Sequence, residues 1–367
     1  MKYIHERSDW PNLTWNDRKL LPLLTDVRHR QGVLLGRMEG LGFQLRSEAS
    51  LTMLTADVIK SSAIEGELLD AKQVRSSIAR RLGLDFGSEI QASRDVEGVV
   101  EMMLDATRKY AEALTTERLF SWHASLFPAG RSGMRKIVAG GWRPVGAGPM
   151  QVVSGPLGRE RVHYEAPAAD RIPREVAAFL SWFEGNKKEI DPVLKAGIAH
   201  LWFVTLHPFE DGNGRISRAI ADMALARAEG TVERFYSMSS QIESEKKQYY
   251  MNLEQSQKGG TDITSWLEWF LGCFGRAVAG AEEGLAAVLK KARTWERINA
   301  QVPVNERQRQ VLNRLLDGFE GKLTSSKYAK LAKCSSDTAL RDVNALIERG
   351  ILVRDEGGGR STNYRLA

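Results

Sequence analysis

The sequence predicts a mainly helical protein with one β-hairpin in its middle and a small module of three helices and a second hairpin at its C-terminal end. Three observations carry this. Apolar residues recur at helical spacing through most of the first 300 or so positions. Residues 130–168 interrupt that pattern with frequent Gly and Pro and three short β-prone pieces. From Pro303 onward the composition forms a unit of its own, ending in two strand-like runs around a glycine cluster.

Taken in order, the chain opens with the irregular, aromatic-rich piece Asp9-Trp10-Pro11-Asn12-Leu13-Thr14-Trp15, in which the two tryptophans are packing anchors. A helix is predicted over 20–41 and another over 50–65, the second with Leu51, Leu54, Val58 and Ile59 inward. That helix ends in Ser61-Ser62-Ala63-Ile64-Glu65-Gly66, where Gly66 suits a C-cap. Ser61 and Glu65 lie four apart, hence on one face. A carboxylate at a helix C-terminus is electrostatically disfavoured, which a cationic partner elsewhere can offset; by itself the stretch reads as a helix end with a solvated Glu.

Two more helices are predicted before residue 114, lined by Val74, Ile78 and Leu82 and by Val96, Val99, Val100, Met103 and Leu104. Leu119, Trp122 and Leu126 stripe the next, with His123 as a packed structural histidine. Strands are predicted over 135–138, 150–153 and 161–164, with Gly155-Pro156-Leu157-Gly158 turning between the last two. A helix over 173–184 buries Val176, Phe179, Leu180 and Phe183. Pro192 starts a wholly apolar helix to Leu206, and a second runs from Asn213 to about Glu229 with Ile216, Ile220, Met223 and Leu225 inward. A helix over 239–256 carries Tyr249 and Tyr250, which sit about 100° apart, so one at most faces a ligand. Trp266, Leu267, Trp269 and Phe270 read as core, and a long helix over 276–300 leads out. The C-terminal module has helices over 306–316, 325–332 and 335–349, capped by Ser335 or Ser336, then strands over 350–353 and 363–366 around Gly357-Gly358-Gly359-Arg360.

Bulk properties bound the rest. At 367 residues the chain has room for two or three domains, and its 43% apolar content is ordinary. The two cysteines fit no zinc spacing, and their scarcity suits a reducing compartment. No signal peptide opens the sequence, and no apolar run reaches the roughly 20 residues that span a membrane. The expectation is a soluble cytoplasmic protein with no membrane partner. Net charge is +6, of which residues 303–367 contribute +4, with twelve Lys and Arg against eight Asp and Glu.

Between the helices at 192–206 and 213–229 lies His207-Pro208-Phe209-Glu210-Asp211-Gly212-Asn213-Gly214-Arg215. Pro208 stops the first helix, and Gly212 and Gly214 allow a tight turn and a close approach of backbone to ligand. The second helix opens with free N–H groups and a positive dipole end, which favour an anion. Asp211 can hold a divalent cation alongside phosphate oxygens. Arg215 and Arg218 are three apart and can grip phosphate, and His207 can take a proton from a hydroxyl. Base, acid, anion nest and paired arginines point to chemistry on a nucleotide phosphate. A metal-hydrolase reading, with His200, His207 and Asp211 as ligands, lacks further histidines nearby to complete it.

This run resembles the Fic-family motif, His-Pro-Phe-x-Asp/Glu-Gly-Asn-Gly-Arg with a second arginine at Arg218, and it fits at every position. Most such families transfer AMP from ATP to a protein hydroxyl. The resemblance implies a Fic helical core with a β-hairpin flap. It divides the chain into a helical region over 1–114, a catalytic core with trailing helices over 115–300, and a winged helix-turn-helix domain over 303–367. The phosphates of ATP would lie over Gly212, Asn213 and Gly214, with Arg215 and Arg218 on the outer phosphates and Tyr250 near the adenine. Asp211 would hold Mg²⁺, with Mn²⁺ as an alternative, bridging the α- and β-phosphates, and His207 would be the base. Ser61 and Glu65 match the family's inhibitory motif, Ser/Thr-x-x-x-Glu-Gly/Asn, which implies that Glu65 pairs with Arg218 and blocks productive ATP binding. Gln151, Val152 and Val153 would be the flap edge that pairs with an unidentified target protein. Gly214 argues against the kinase-like variant of the fold. Two alternatives stand beside it: removal of AMP by the same residues, with Glu65 orienting water, and a DNA-binding regulator that senses nucleotide, against which the intact His207 and Asp211 count. The balance of charge in 303–367 permits DNA contact without demanding it, since winged helices also dock proteins. Self-association and self-modification are left open.

Overall fold

The computed structural model describes residues 3–84, 90–146, 148–155, 159–185, 190–300, 304–316, 319, 321–355 and 362–367. The chain divides into two compact units, Met1–Gly284 and Leu285–Ala367. Where the sequence suggests three parts, residues 1–114 share one unit with everything up to Gly284, and the boundary falls before the helix at 286 rather than at 303.

In the first unit the helices start where side chains can take up the free N–H groups of a first turn. Asn16 accepts from Lys19 N at 3.1 Å and opens α1 (Asp17–Glu39). Helix α2 (Phe43–Ile64) follows, starting seven residues earlier than its apolar stripe suggested. Asp70 caps α3 (Ala71–Arg81), Ser93 caps α4 (Arg94–Arg108) and Thr115 caps α5 (Thr116–Leu126). Two short antiparallel ribbons come next: β1 (Arg131–Ser132) with β2 (Arg135–Lys136), and β3 (Gln151–Ser154) with β4 (Arg161–Glu165). The strand expected over 135–138 is thus only two residues long. The second ribbon runs from Gln151↔Glu165 to Ser154↔Arg161, with an irregularity between Val152 and Val153. Of its expected turn, Pro156, Leu157 and Gly158 lie outside the described residues.

Helix α6 (Ile172–Glu184) leads to the centre of the unit, α7 (Pro192–Leu206) and α8 (Asn213–Glu229). From Val193 to Leu206 every residue of α7 except Lys195 is buried, as an all-round apolar helix must be. A Cβ at Gly197 would come within 2.8 Å of Phe270, so the glycine lets α11 (Thr264–Gly284) pack directly on α7. Burying Phe203 alone contributes about 2–3 kcal/mol. The helix expected over 239–256 is two, α9 (Met238–Ser244) and α10 (Lys246–Gln257), broken at Glu245 (φ −109°, ψ 22°). Arg276 grips both carboxylate oxygens of Glu245 at 2.7 and 2.6 Å, a tertiary anchor for a break with no glycine or proline to announce it.

The helix expected over 276–300 is also broken. Helix α11 ends at Gly284, where a Cβ would meet Met53 at 2.6 Å, and α12 (Ala286–Asn299) belongs to the second unit. There α13 (Glu306–Leu316), α14 (Ser325–Leu331) and α15 (Ser336–Glu348) enclose Val311, Leu312, Leu323, Tyr328, Val343 and Leu346. Ser335 caps α15. Strands β5 (Leu352–Arg354) and β6 (Tyr364–Leu366) form the expected hairpin, and Leu323 bridges to Tyr364. Pro303 and the tip Gly357–Arg360 lie outside the described residues. Both cysteines are free. Among the described residues no helix is long and apolar enough to cross a membrane.

Candidate active site

Helix α7 ends at His207 in the left-handed region (φ 48°, ψ 55°). For a non-glycine residue this costs about 1–2 kcal/mol. Arg143 holds it there: its Nε donates to the His207 carbonyl at 2.9 Å, its backbone N–H to the Pro208 carbonyl at 3.0 Å, and its guanidinium also to Pro167. His207 Nδ1 donates to the Val204 carbonyl at 3.3 Å, which leaves the Nε2 lone pair free to accept a proton. Burial pushes the His207 pKa down to about 4, against the opposing pull of the Val204 carbonyl, Glu65 and Asp211. The ring is therefore neutral at physiological pH.

The loop that follows is braced from within. Phe209 is buried and stacks on His123, ring centroids 4.1 Å apart. His123 is thus the packed residue the sequence suggested, accepting from Gly140 N at 3.0 Å. Asn213 Oδ1 accepts from Phe209 N at 3.0 Å and its Nδ2 donates to Phe209 O at 2.9 Å. The Asn213 side chain is thus taken up by the loop, which leaves its backbone for the phosphate expected over residues 212–214. Gly212 (φ 78°) needs its glycine, since a Cβ would also meet Phe127 at 2.9 Å. No side chain caps α8, so the N–H groups of its first turn are open to a ligand.

The two loop acids differ. Glu210 is occupied by Arg135 Nη2 at 2.7 Å and Val138 N at 2.8 Å. Asp211 accepts from Gly212 N at 2.6 Å and from the Ser132 hydroxyl, two bonds that orient its carboxylate. A single oriented carboxylate beside an anion nest fits Mg²⁺, which takes one or two carboxylates and fills its octahedron with phosphate oxygens and water. The hydrolase reading fares differently. His200 Nε2 lies 2.9 Å from the Tyr249 hydroxyl, and burial lowers its pKa to about 3. Among the described residues no three His, Cys, Asp or Glu side chains converge as a metal site.

Both arginines of the motif are buried, each only 2% exposed. Arg218 donates from Nε to Ser61 Oγ at 3.0 Å and from Nη2 to Ser61 O and Glu65 Oε1, both at 2.8 Å. A Cβ on Gly214 would lie 2.2 Å from that same Glu65 oxygen, so the carboxylate sits over the first turn of α8. The C-terminus of α2 repels it, and the N-terminus of α8 attracts it. Arg215 goes elsewhere: Nη1 meets Glu67 Oε2 at 2.5 Å and the guanidinium lies 5.1 Å over Phe127. Three apart on α8, the two arginines take one carboxylate each. Arg218 Nη1 and Arg215 Nε are buried donors without an acceptor. Burial raises the Glu67 pKa, with Asp211 and Glu65 adding to the rise and Arg215 opposing it.

Tyr249 points inward and is buried, whereas the Tyr250 hydroxyl reaches the Ile64 carbonyl at 3.3 Å beside Glu65 and the ring is 39% exposed. Burial pushes the Tyr250 hydroxyl up to about 12. On the hairpin, Gln151 and Val153 are exposed and Val152 half-buried, and β3 has no second strand beside it among the described residues. Strand β4 is anchored twice. Tyr164 OH donates to the Thr205 carbonyl at 2.8 Å and accepts from His5 Nδ1 at 3.0 Å. His163 donates from Nδ1 to Glu254 at 2.7 Å and accepts the Ser154 hydroxyl at Nε2, 2.6 Å. Arg143, Ser132, Glu67, His163 and Glu254 were not singled out from the sequence. Only Glu67 carried a local signal, as an acid just beyond Glu65 and a turn glycine.

Residues 113–225 match the Fic/DOC family, and residues 3–84 match a domain of unknown function, DUF4172. The protein adenylyltransferase fic-1 of Caenorhabditis briggsae is 26% identical over 213 residues, covering 58% of this chain and 38% of the relative. The protein adenylyltransferase Fic of Aedes aegypti is 27% identical over 186 residues, covering 47% and 32%. The chain thus spans well under half the length of these curated relatives. A crystal structure of a Fic family protein from Desulfovibrio desulfuricans G20 superposes with a TM-score of 0.58 at 23% identity, covering 95% of this chain and 96% of that one. A Fic domain containing signaling protein from Bacteroides thetaiotaomicron gives 0.52 at 18% identity, covering 71% and 98%. The fold, the matched segment and the intact motif agree: this chain carries a Fic/DOC family domain over residues 113–225.

Proposed function

We propose that this protein transfers AMP from ATP to a Ser, Thr or Tyr hydroxyl of a target protein, and that Glu65 holds it in check. The observation that supports this best is the seat of the Glu65 carboxylate, on Arg218 and over Gly214, where a phosphate group would otherwise belong. ATP would lay its phosphates on the backbone of residues 212–214, with Arg218 and Arg215 on the outer phosphates once their carboxylates leave. The two buried N–H donors without acceptors are suited to that exchange. A target segment pairs along the free edge of β3, and Tyr250 borders the base. His207 Nε2 takes the proton of the target hydroxyl as its oxygen bonds to the α-phosphorus and the bond to the leaving pyrophosphate breaks. Asp211 would hold Mg²⁺ or Mn²⁺, which supplies charge neutralisation on the phosphates when bound.

The test is label transfer from α-labelled ATP with Mg²⁺, comparing the parent chain with Glu65→Gly and with Glu65→Gly/His207→Ala. Label should rise with the first change and vanish with the second. Label that persists without His207 refutes the base. No transfer by Glu65→Gly on a cell lysate, with AMP released from an already modified protein by the parent chain and not by Glu65→Gly, makes the enzyme a remover of AMP. Another copy of the chain is one candidate target, read as label on the enzyme itself. For the second unit we propose contact with DNA phosphates, since Lys327, Lys330 and Lys333 are exposed along and just past α14. A mobility shift that weakens with salt checks it, and no shift at low salt rejects it.

A further inference from the structure

Helix α2 ends in a paired-bond turn. The N–H of Gly66 donates to the Ala63 carbonyl and that of Glu67 to the Ser62 carbonyl, both at 3.0 Å, with Gly66 at φ 88°. This is the Schellman arrangement, and it folds the chain back over the end of the helix. Its consequence is that two acids flanking one glycine both reach α8. Glu65 meets Arg218 and Glu67 meets Arg215, one carboxylate on each buried guanidinium.

We propose that Glu67 is a second internal anion of the nucleotide site: it occupies Arg215 while Glu65 occupies Arg218, so that ATP must displace two carboxylates and not one. The inference rests on the AMP-transfer reading and deepens its regulation. Three features support it. Arg215 is 2% exposed, so a phosphate can gain this guanidinium only by taking the place of what already holds it. Glu67 is 46% exposed on its outer side, so it can swing into water without unfolding α2. Glu65 and Asp211 also lie near Glu67 at the same α8 terminus; burial first, and the charge of these two acids after it, raises the Glu67 pKa against the pull of Arg215. A triphosphate brings more negative charge into that cluster and favours departure of the mobile member.

The test uses the full chain and the dissociation constant of ATP with Mg²⁺, measured by calorimetry in a His207→Ala background that stops turnover. Glu67→Gln keeps the shape and removes the charge. It should tighten ATP about 5-fold or more alone, and by a similar factor on top of Glu65→Gly. In an Arg215→Ala background the gain should disappear, which a merely structural role for Glu67 would not predict. If Glu65→Gly binds ATP and Glu67→Gln adds nothing, the second-anion proposal falls while the site reading stands. If Glu67→Gln weakens ATP, Glu67 supports Arg215 instead of restraining it, and the proposal is overturned. If neither Glu65→Gly nor the double variant binds ATP, the nucleotide-site reading itself fails.

Discussion

Replacing Glu65 removes a carboxylate from Arg218, and the structure allows the size of the effect to be worked out. Charge-assisted hydrogen bonds contribute about 1.5–3 kcal/mol net. Glu65 is 29% exposed, and Arg218 keeps both the hydroxyl and the carbonyl of Ser61, so the lower end applies, about 1–2 kcal/mol. The ligand-free protein should lose that much stability, a fall in Tm of roughly 2–6 °C. On the proposed function ATP competes for the same guanidinium, so the same free energy should reappear as affinity, about 5- to 30-fold in Kd. Glu65→Gln is the cleaner variant and Glu65→Gly the stronger one, since glycine also loosens the turn. Both are measured in the His207→Ala background, by calorimetric ATP titration and by thermal melting with and without ATP and Mg²⁺. The signature is opposite signs: a lower Tm without nucleotide and a larger rise with it. A variant that melts at the parent temperature and binds ATP with the parent Kd would show that the Glu65–Arg218 contact does no work, and the inhibitory assignment would be wrong.

Acidification should destabilise the fold. Burial lowers the pKa of His200 to about 3 and of His123 to about 4, below the unfolded value of about 6.5. The unfolded chain therefore binds protons first, and stability present above pH 6.5 is lost as pH falls toward 4, roughly 1–2 kcal/mol per histidine by pH 5.5. A Tm that is flat between pH 7 and 5.5 would contradict this, and by the same logic the turnover rate should show no His207 inflection between pH 6 and 8. Arg143→Ala leaves the left-handed His207 without its brace, so kcat should fall 10-fold or more while the ATP Kd stays within about 2-fold; an unchanged kcat would remove Arg143 from the positioning of the base. His163→Ala or Glu254→Gln unpins the hairpin from α10, which should raise the KM for the protein target several-fold with the KM for ATP unaffected, and a matched change in both would point to the nucleotide site instead.

What the sequence made legible was local. The apolar run 193–206, the stop at Pro208 and the glycines around Asn213 specify two helices and the loop between them, and they appear where expected. Glu65 and Tyr250 were readable through the resemblance to the family's motifs; helix geometry alone says only that a terminal carboxylate can be offset by a cation and that at most one of two adjacent tyrosines faces a ligand. What was not legible depends on residues far apart in the chain. Arg143 braces His207 from 64 positions away, and Glu254 pins His163 from 91. Nothing in the sequence shows that the Asn213 amide closes the loop on itself, with Phe209 N–H and carbonyl claiming both its ends. The breaks at Glu245 and Leu285 are likewise tertiary, set by Arg276 and by the approach of Met53, with no proline to mark them.

The contact between Glu65 and Arg218 joins two segments that match different family models, since Glu65 falls within the match at 3–84 and Arg218 within the match at 113–225. Throttle and engine are thus encoded apart. On the proposed function, a change of one residue in the turn after α2 would retune output without touching any group that meets the reacting atoms, whereas loss of the whole first segment would also strip α1 and α2 from the unit they share with α7 and α8. Selection could then adjust how often the proposed chemistry fires, and in answer to what, while the machinery that would perform it stays fixed.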